Sequence, residues 1–113
     1  MSSPTSQDID TALTLPDSEA LARFRGWANA GTAEAQLVLG QMLLDGRGCQ
    51  PAPVAAFGWC LKAARTGHPM AMNMVGRCYE NGWGVARDQE TAASWFRGAA
   101  LKWLDWGMYR YAT

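Results

Sequence analysis

Apolar residues recur at helical spacing along most of the chain. Ala35, Leu39 and Leu43 follow one another every four residues, which places them on one face of a helix. A short segment rich in Gly follows, and a second apolar group comes after it with spacings of three and four residues: Ala56, Trp59 and Ala63. The pattern therefore predicts two short helices joined by a turn, each with an apolar stripe that must pack on another helix.

The same pattern returns 36 residues further along the chain. Residues 31–66 and 67–102 align without a gap and share nine identical residues. About two or three identities are expected by chance in so short a window. The identical pairs are Gly31/Gly67, Ala35/Ala71, Gly40/Gly76, Gly46/Gly82, Gly48/Gly84, Ala56/Ala92, Trp59/Trp95, Ala63/Ala99 and Ala64/Ala100. We therefore expect two copies of one helix–turn–helix unit.

Two of the shared glycines stand inside the predicted first helices. Gly40 and Gly76 each cost a helix about 1 kcal/mol relative to Ala, so their common register calls for a packing reason. We predict that a neighbouring helix approaches closely at each glycine. The space beside them is expected to receive the indole rings of Trp59 and Trp95.

Residues suited to helix ends occur at the borders of these segments. Gly46 and Gly82 follow the first helices and are expected to end them, because Gly adopts a positive φ cheaply. Pro53 stands near the start of one second helix, and Asp88 stands where it can cap the start of the other. His68 precedes a helix, where capping or packing is the ordinary role.

These segments resemble the Sel1-like repeat, a member of the TPR-like class of helical repeats. The string AGTAEAQLVLGQMLLDGRG resembles the first half of such a repeat, and GHPMAMNMVGRCYENGWGVARDQETAASWFRGAA resembles a nearly complete one. The resemblance covers residues 30–100 and implies an all-α fold, a short αα-solenoid of two Sel1-like helix-pair repeats with flanking capping helices. The first repeat departs from the family pattern at Cys49, Ala52 and Leu43, which leaves its loop geometry open.

The chain divides into five predicted parts. They are a flexible N-terminal tail (1–16), an N-terminal capping helix that is a degenerate half repeat (17–30), Sel1-like repeat 1 (31–66), Sel1-like repeat 2 (67–102) and a C-terminal capping segment (103–113). Asp17 or Ser18 is expected to cap the N-terminal helix. Trp103 stands where the repeat pattern has Gly, and we expect the aromatic-rich run from Leu101 onward to form a final capping helix.

Composition and charge narrow the class of partner. Ten basic and ten acidic residues give no net charge, which argues against binding to nucleic acid or to an anionic membrane surface. The sequence lacks a secretory signal pattern and any apolar run long enough to span a bilayer. Three cysteines without a CxxC motif suit a reducing compartment, so we expect a cytoplasmic protein.

Residues able to support catalysis are few. His68 is the single histidine, and no Cys or carboxylate stands at a spacing that would make it half of a nucleophile–base pair. Met70, Met74 and Cys78 share a helical face and raise a third reading, a metal- or thiol-dependent regulatory sensor. We expect no enzyme activity and no cofactor, because soft side chains on one helix more often fill a core or a binding surface.

The positions that the repeat leaves variable are the better candidates for function. The candidate partner-binding residues are Val38, Gln41, Met42, Asp45, Met74, Arg77, Cys78, Asn81 and Trp83. The eight helical residues form a strip beside the packing stripe of each first helix, with an apolar centre and a polar rim that would suit a peptide or helix. Trp83 lies in the loop where the other repeat has Arg47, and it either binds a partner as an exposed side chain or folds back onto its own repeat. We therefore predict a non-catalytic adaptor or scaffold that binds a partner segment on its concave helical face.

Two alternatives stay open. The strip packs on flanking helices, or the solenoid ends, with Trp103 and Trp106, pair in a homo-oligomer.

Overall fold

Six α-helices and no strand make up the described part of the chain. The computed structural model describes residues 4–112, of which 105–112 are described by their backbone alone. The helices are α1 (Ser6–Leu13), α2 (Asp17–Asn29), α3 (Ala33–Asp45), α4 (Pro53–Arg65), α5 (Pro69–Asn81) and α6 (Gln89–Ala112). The predicted all-α fold is confirmed.

Equal spacing of the helices shows the repeat directly. Helices α2, α4 and α6 begin at residues 17, 53 and 89, and α3 and α5 begin at 33 and 69, so equivalent helices start 36 residues apart. Each of α2 to α5 packs on the helix that follows it, most extensively within the pairs α3–α4 and α5–α6. The result is an αα-solenoid in which α2 occupies the place of a second helix from an earlier pair.

The predicted apolar stripes form the core. Ala35 and Leu39 of α3 and Val75 of α5 have no exposed surface, and they lie in two adjoining clusters of buried side chains. Between α4 and α5, the rings of Phe57 and Tyr79 meet edge to face with centroids 5.5 Å apart. Burial of these stripes supplies the main driving force for stacking, because none of the short helices would be stable alone in water.

Gly40 and Gly76 lie at close contacts between helices, but the side chains beside them differ from those predicted. A Cβ atom at Gly40 would lie 2.5 Å from Cys60 Sγ, and one at Gly76 would lie 2.6 Å from a ring carbon of Phe96. The prediction of Trp59 and Trp95 at these places is wrong by one residue. The indoles are only partly buried, and the next residue along each second helix faces the glycine instead.

The residues predicted to begin, cap or end the helices of the two repeats do so. Gly46 and Gly82 end α3 and α5 in the left-handed conformation, with φ of 75° and 74°. Pro53 is the first residue of α4, and the Asp88 carboxylate accepts hydrogen bonds from the amide and hydroxyl of Thr91 at the start of α6. Each of these residues satisfies or removes a backbone group that the end of a helix leaves unpaired.

The N-terminal segment departs from the prediction of a flexible tail. Ser6–Leu13 form α1, whose start is fixed by a reciprocal pair of hydrogen bonds between Thr5 and Asp8. Ile9 and Ala12 are buried in the first core cluster. Two apolar side chains at helical spacing, together with a capping box, are sufficient to order this polar stretch against the solenoid.

The start of α2 is a second correction. Pro16 takes the N-cap position, and neither Asp17 nor Ser18 provides a side-chain cap. Asp17 lies in the first turn, where its carboxylate pairs with Arg47 across 3.4 Å. A carboxylate in the first turn is favourable because the helix dipole is positive there.

The C-terminal segment continues α6 and does not form a separate helix. Gly31 and Gly67, with φ of 99° and 89°, make the turn that follows α2 and α4. The equivalent residue is Trp103, which lacks that conformational freedom, and the helix runs on to Ala112. The predicted contribution of the Trp106 side chain lies outside the described residues. Among the helices of residues 4–112, none has the length and apolar character needed to cross a membrane.

Candidate functional site

The first helices of the two pairs line a common groove, which we call the α3–α5 groove. Its outer hollow has a volume of about 390 Å³ and is lined by Gln41, Leu44, Asp45, Arg47, Met74, Arg77 and Trp83. Its inner hollow has a volume of about 250 Å³ and is lined by Gln41, Met70, Asn73, Met74, Arg77 and Phe96. Because Gln41, Met74 and Arg77 line both hollows, the two adjoin.

The groove brings together five of the predicted binding residues: Gln41, Asp45, Met74, Arg77 and Trp83. Gln41 and Arg77 occupy equivalent positions 36 residues apart, so they reach the groove from the same face of α3 and of α5. Met74 is 9% exposed and joins the floor of the groove to the second core cluster. The predicted strip therefore corresponds in part to a continuous surface.

Two members of the predicted strip are core residues. Met42 and Cys78 are each 1% exposed, and Met42 belongs to the first core cluster. Their interpretation as the apolar centre of a binding strip is wrong. A helix that packs on neighbours at both sides has a wider buried face than its main stripe indicates, and this face includes the positions of Met42 and Cys78.

The remaining two members lie at the border of the groove. Val38 is partly buried and packs against the first core cluster. Asn81 is exposed, and its amide donates a hydrogen bond of 2.9 Å to the carbonyl of Arg77, one turn earlier in the same helix. That bond satisfies a carbonyl near the C-terminal end of α5 and gives Asn81 a local role.

Arg77 and Trp83 form a cation–π contact in the groove. The guanidinium carbon of Arg77 lies 5.7 Å from the centroid of the indole ring of Trp83. The half-buried indole thus folds onto its own repeat and also lines the groove, while its part in binding a partner stays a prediction. A cation–π contact of this kind holds the guanidinium in place while its N–H groups stay able to donate.

Sequence reasoning missed part of the groove lining. Arg47 is the residue that the 36-residue repeat pairs with Trp83, and this equivalence was the signal that could have included it. Phe96 received no role from the sequence, and Met70 was considered only for a metal- or thiol-dependent sensor. No sequence signal predicts that these side chains reach the same hollow, because the hollow depends on how α6 packs against α5.

The residues considered for chemistry have structural roles. His68 Nδ1 accepts a hydrogen bond of 3.4 Å from the amide of Ala71 and so caps α5, as expected. Burial and, to a lesser extent, nearby Cys78 raise the pKa of Cys60 to about 12. Burial also raises the pKa of Cys78, against a smaller lowering by Arg77. Both thiols are therefore weak nucleophiles at neutral pH.

Titratable side chains do not cluster as metal ligands in the described region. Among its His, Cys, Asp and Glu residues, no group of three or more is placed so that it could hold a metal ion. The expectation of no cofactor stays a prediction.

Two further hollows lie outside the groove. One, of about 450 Å³, is a shallow strip along α2 lined by Glu19, Ala22, Arg23, Gly26 and Trp27. The other, of about 420 Å³, lies near the C-terminal end and is lined by Glu34, Thr66, Gly67, His68, Pro69, Met70 and Trp103. The α3–α5 groove differs from the first of these in that both helix pairs build it.

Comparison with known proteins points to one family. The sequence profile of the Sel1 repeat matches residues 33–68 and 69–103. A crystal structure of a Sel1 repeat protein from Oxalobacter formigenes superposes with a TM-score of 0.75 at 31% identity and covers 76% of this chain. A protective antigen of uropathogenic Escherichia coli strains, described as displaying an SLR fold, superposes with a TM-score of 0.74 at 29% identity over 75% of the chain.

These solved structures are much longer than the chain. The matched region covers 25% of the Oxalobacter formigenes protein and 18% of the Escherichia coli antigen. The likeness therefore concerns a block of helix pairs shared with larger solenoids.

Proposed function

The chain belongs to the Sel1 repeat family, and on that premise we propose that it is a non-catalytic adaptor whose α3–α5 groove holds a segment of a partner protein. Sel1 repeat proteins are generally scaffolds for protein–protein interaction. The observation that carries the proposal is the groove between α3 and α5. The two helices line it from equivalent positions, which hold Gln41 and Arg77.

The chemistry of the groove suits a peptide segment. Met74 and Phe96 provide apolar surface in the inner hollow, while Gln41, Asp45 and Arg77 provide hydrogen-bonding and charged groups at the rim. An apolar centre with a polar rim is the usual anatomy of a protein interface. Because the floor belongs to the packed core, a partner would bind to a surface that is already formed and would lose little affinity to reorganisation.

The surroundings of the His and Cys side chains support a non-catalytic role. His68 is engaged as a helix cap, and Cys60 and Cys78 are buried with raised pKa values. The absence of enzyme activity, the lack of a nucleic-acid or membrane partner and the cytoplasmic location stay predictions.

Site-specific photo-crosslinking tests the proposal. A photoreactive amino acid is placed at Gln41, inside the groove, and in a matched variant at Ala55, an exposed position on α4 outside it. In cells that express the protein natively, the Gln41 variant should crosslink to a distinct partner and the Ala55 variant should not. Arg77→Glu in the same chain should remove the crosslink, because it reverses a charge within the groove.

Two results would contradict the groove as the binding site. One is a crosslink of equal yield from Ala55. The other is a Gln41 crosslink that persists unchanged with Arg77→Glu. Circular dichroism of each variant provides the folding control, since a lost crosslink has meaning only in a folded chain.

A homo-oligomer joined through the solenoid ends is the second candidate, favoured by the exposure of the end of α6. Leu101, at the position where α2 and α4 end, and Leu104, beyond it, are 64% and 59% exposed. Exposed apolar side chains on one helix end can pair with a second copy. Sedimentation velocity over a range of concentrations would reveal a dimer, and Leu104→Glu should dissociate it. A monomer at all concentrations would exclude this candidate.

A further inference from the structure

Among the described residues, no acidic side chain pairs with Arg77 of the α3–α5 groove. The other guanidinium of the groove, that of Arg47, pairs with Asp17, which does not line the groove, with the two atoms 3.4 Å apart. The Arg77 side chain is exposed, and its guanidinium carbon lies 5.7 Å from the centroid of the Trp83 ring. A guanidinium that rests on an aromatic ring keeps the N–H groups along its edge, and these match the two oxygens of a carboxylate.

The two hollows of the groove differ in chemistry. Near the loops, the outer hollow is lined by Asp45, Arg47 and Arg77. The inner hollow adds Met70 and Phe96, and the ring of Phe96 lies against Gly76. Along α5, the seven positions from Met70 to Arg77 correspond to about 10 Å at the rise of an α-helix. An extended peptide covers that distance in about three residues.

Resting on the proposed function, we propose that the groove selects an acidic–apolar peptide: a segment with an Asp or Glu that pairs with Arg77 and an apolar side chain within about three residues of it that enters the inner hollow. The second contact would use Met70, Met74 and Phe96, with Met70 already 51% exposed. Methionine adapts its shape to different apolar partners, so the inner hollow accepts several side chains.

The placement of charged groups in the groove favours an acidic over a basic ligand. Two guanidinium groups and one carboxylate line the outer hollow, those of Arg47, Arg77 and Asp45. Because Arg47 already pairs with Asp17, Arg77 and Asp45 are the charged groups of this hollow for which the described residues show no ion pair. Trp83 orients Arg77 in advance, whereas no described contact orients the carboxylate of Asp45.

Panning a random peptide phage library on the purified full chain tests this inference. The chain is used as wild type, as Arg77→Glu and as Arg25→Glu, which makes the same charge reversal on α2, outside the groove. Wild type and Arg25→Glu should both enrich peptides with the acidic–apolar spacing. Arg77→Glu should lose those peptides and favour Lys or Arg at the acidic position.

Synthetic peptides from the wild-type selection give the quantitative test. Replacing the acidic residue by its amide should weaken binding about tenfold, the order expected for the loss of one charge-assisted contact at a partly exposed site. Arg77→Gln should weaken binding of the acidic peptide by the same factor, with little further loss when both changes are combined. Trp83→Phe should retain most of the affinity, and Trp83→Ala should lose it.

The possible failures are distinguishable. Enriched peptides that are neutral or basic, and that Arg77→Glu displaces, would overturn the acidic preference while leaving the groove as the site. Enriched peptides that bind Arg77→Glu and wild type equally would overturn both the inference and the proposed site. A selection that enriches no peptide would also count against both.

Discussion

Replacing helical glycines by alanine separates close packing from helix propensity. Gly26 in α2 and Gly58 in α4 have open surroundings, since an added Cβ atom would have no neighbour within 4 Å. Alanine restricts the unfolded chain and favours the helix, so Gly26→Ala and Gly58→Ala should each stabilise the protein by about 0.5–1 kcal/mol.

The opposite result is expected at Gly40. A Cβ there would lie 2.5 Å from Cys60 Sγ and 3.1 Å from the carbonyl oxygen of Ala56, and the second is backbone that cannot turn aside. Overpacking of this kind costs about 1–3 kcal/mol, more than the gain of about 1 kcal/mol in propensity. Gly40→Ala should therefore destabilise the protein by up to about 2 kcal/mol. Gly76→Leu, directed into the Phe96 ring, should cost about 3 kcal/mol.

Urea denaturation followed by far-ultraviolet circular dichroism provides the assay. The free energies of unfolding of Gly40→Ala and Gly58→Ala should differ by about 1–3 kcal/mol in the direction stated. Adding Cys60→Ala to Gly40→Ala should recover part of the loss, because the nearest obstructing atom is removed. Equal stability of the two glycine variants would refute the close-packing explanation, and so would the absence of coupling with Cys60.

Three further predictions concern a cap, a thiol and a buried amide. Hydrogen bonds from the hydroxyl and amide of Thr91 hold the pKa of Asp88 below its ordinary 3.8. Asp88→Ala should therefore lower the melting temperature at neutral pH, and the difference should disappear as the pH falls below about 3.8; a difference independent of pH would contradict it. Burial raises the pKa of Cys60 to about 12, so a thiol reagent should label the partly exposed Cys49 first and should react with Cys60 only when the protein unfolds. Equal labelling rates of the two thiols in the folded protein would refute this prediction. The Gln36 amide donates a 3.2 Å hydrogen bond to the carbonyl of Ala28 near the end of α2. Gln36→Leu should therefore lower the free energy of unfolding, measured by urea titration, by about 1–2 kcal/mol. An unchanged free energy of unfolding would count against a stabilising role of this bond.

Much of the fold could be predicted because its signals are local and repeated. The stripe of Ala35 and Leu39, the left-handed Gly46 and the capping Asp88 each follow from short-range geometry. The 36-residue period then repeats the stripe and the left-handed glycine, whereas the counterpart of Asp88 is Ala52, which gives no side-chain cap. The helix pairs and their borders are accordingly the features that sequence and structure share.

The ends of the chain were harder to predict because their structure depends on contacts and backbone conformations elsewhere in the solenoid. α1 is a short helix whose order comes from burying Ile9 and Ala12 against existing helices, and its sequence alone is that of a polar tail. At the other end, the effect of Trp103 depends on the backbone conformation of its counterparts Gly31 and Gly67. A change of residue type was visible in the sequence, whereas the continuous helix that results was not.

The candidate site was predicted only in part, for a reason that also bears on specificity. Sequence spacing groups Met42 with Gln41, yet the first is buried and the second lines the groove, since one helix position turns a side chain by about 100°. The positions at which the two repeats are identical build the core and the turns. The groove, by contrast, uses positions at which they differ, Gln41 against Arg77 and Arg47 against Trp83. Selection of a partner can therefore change at these positions without disturbing the packing that makes the groove.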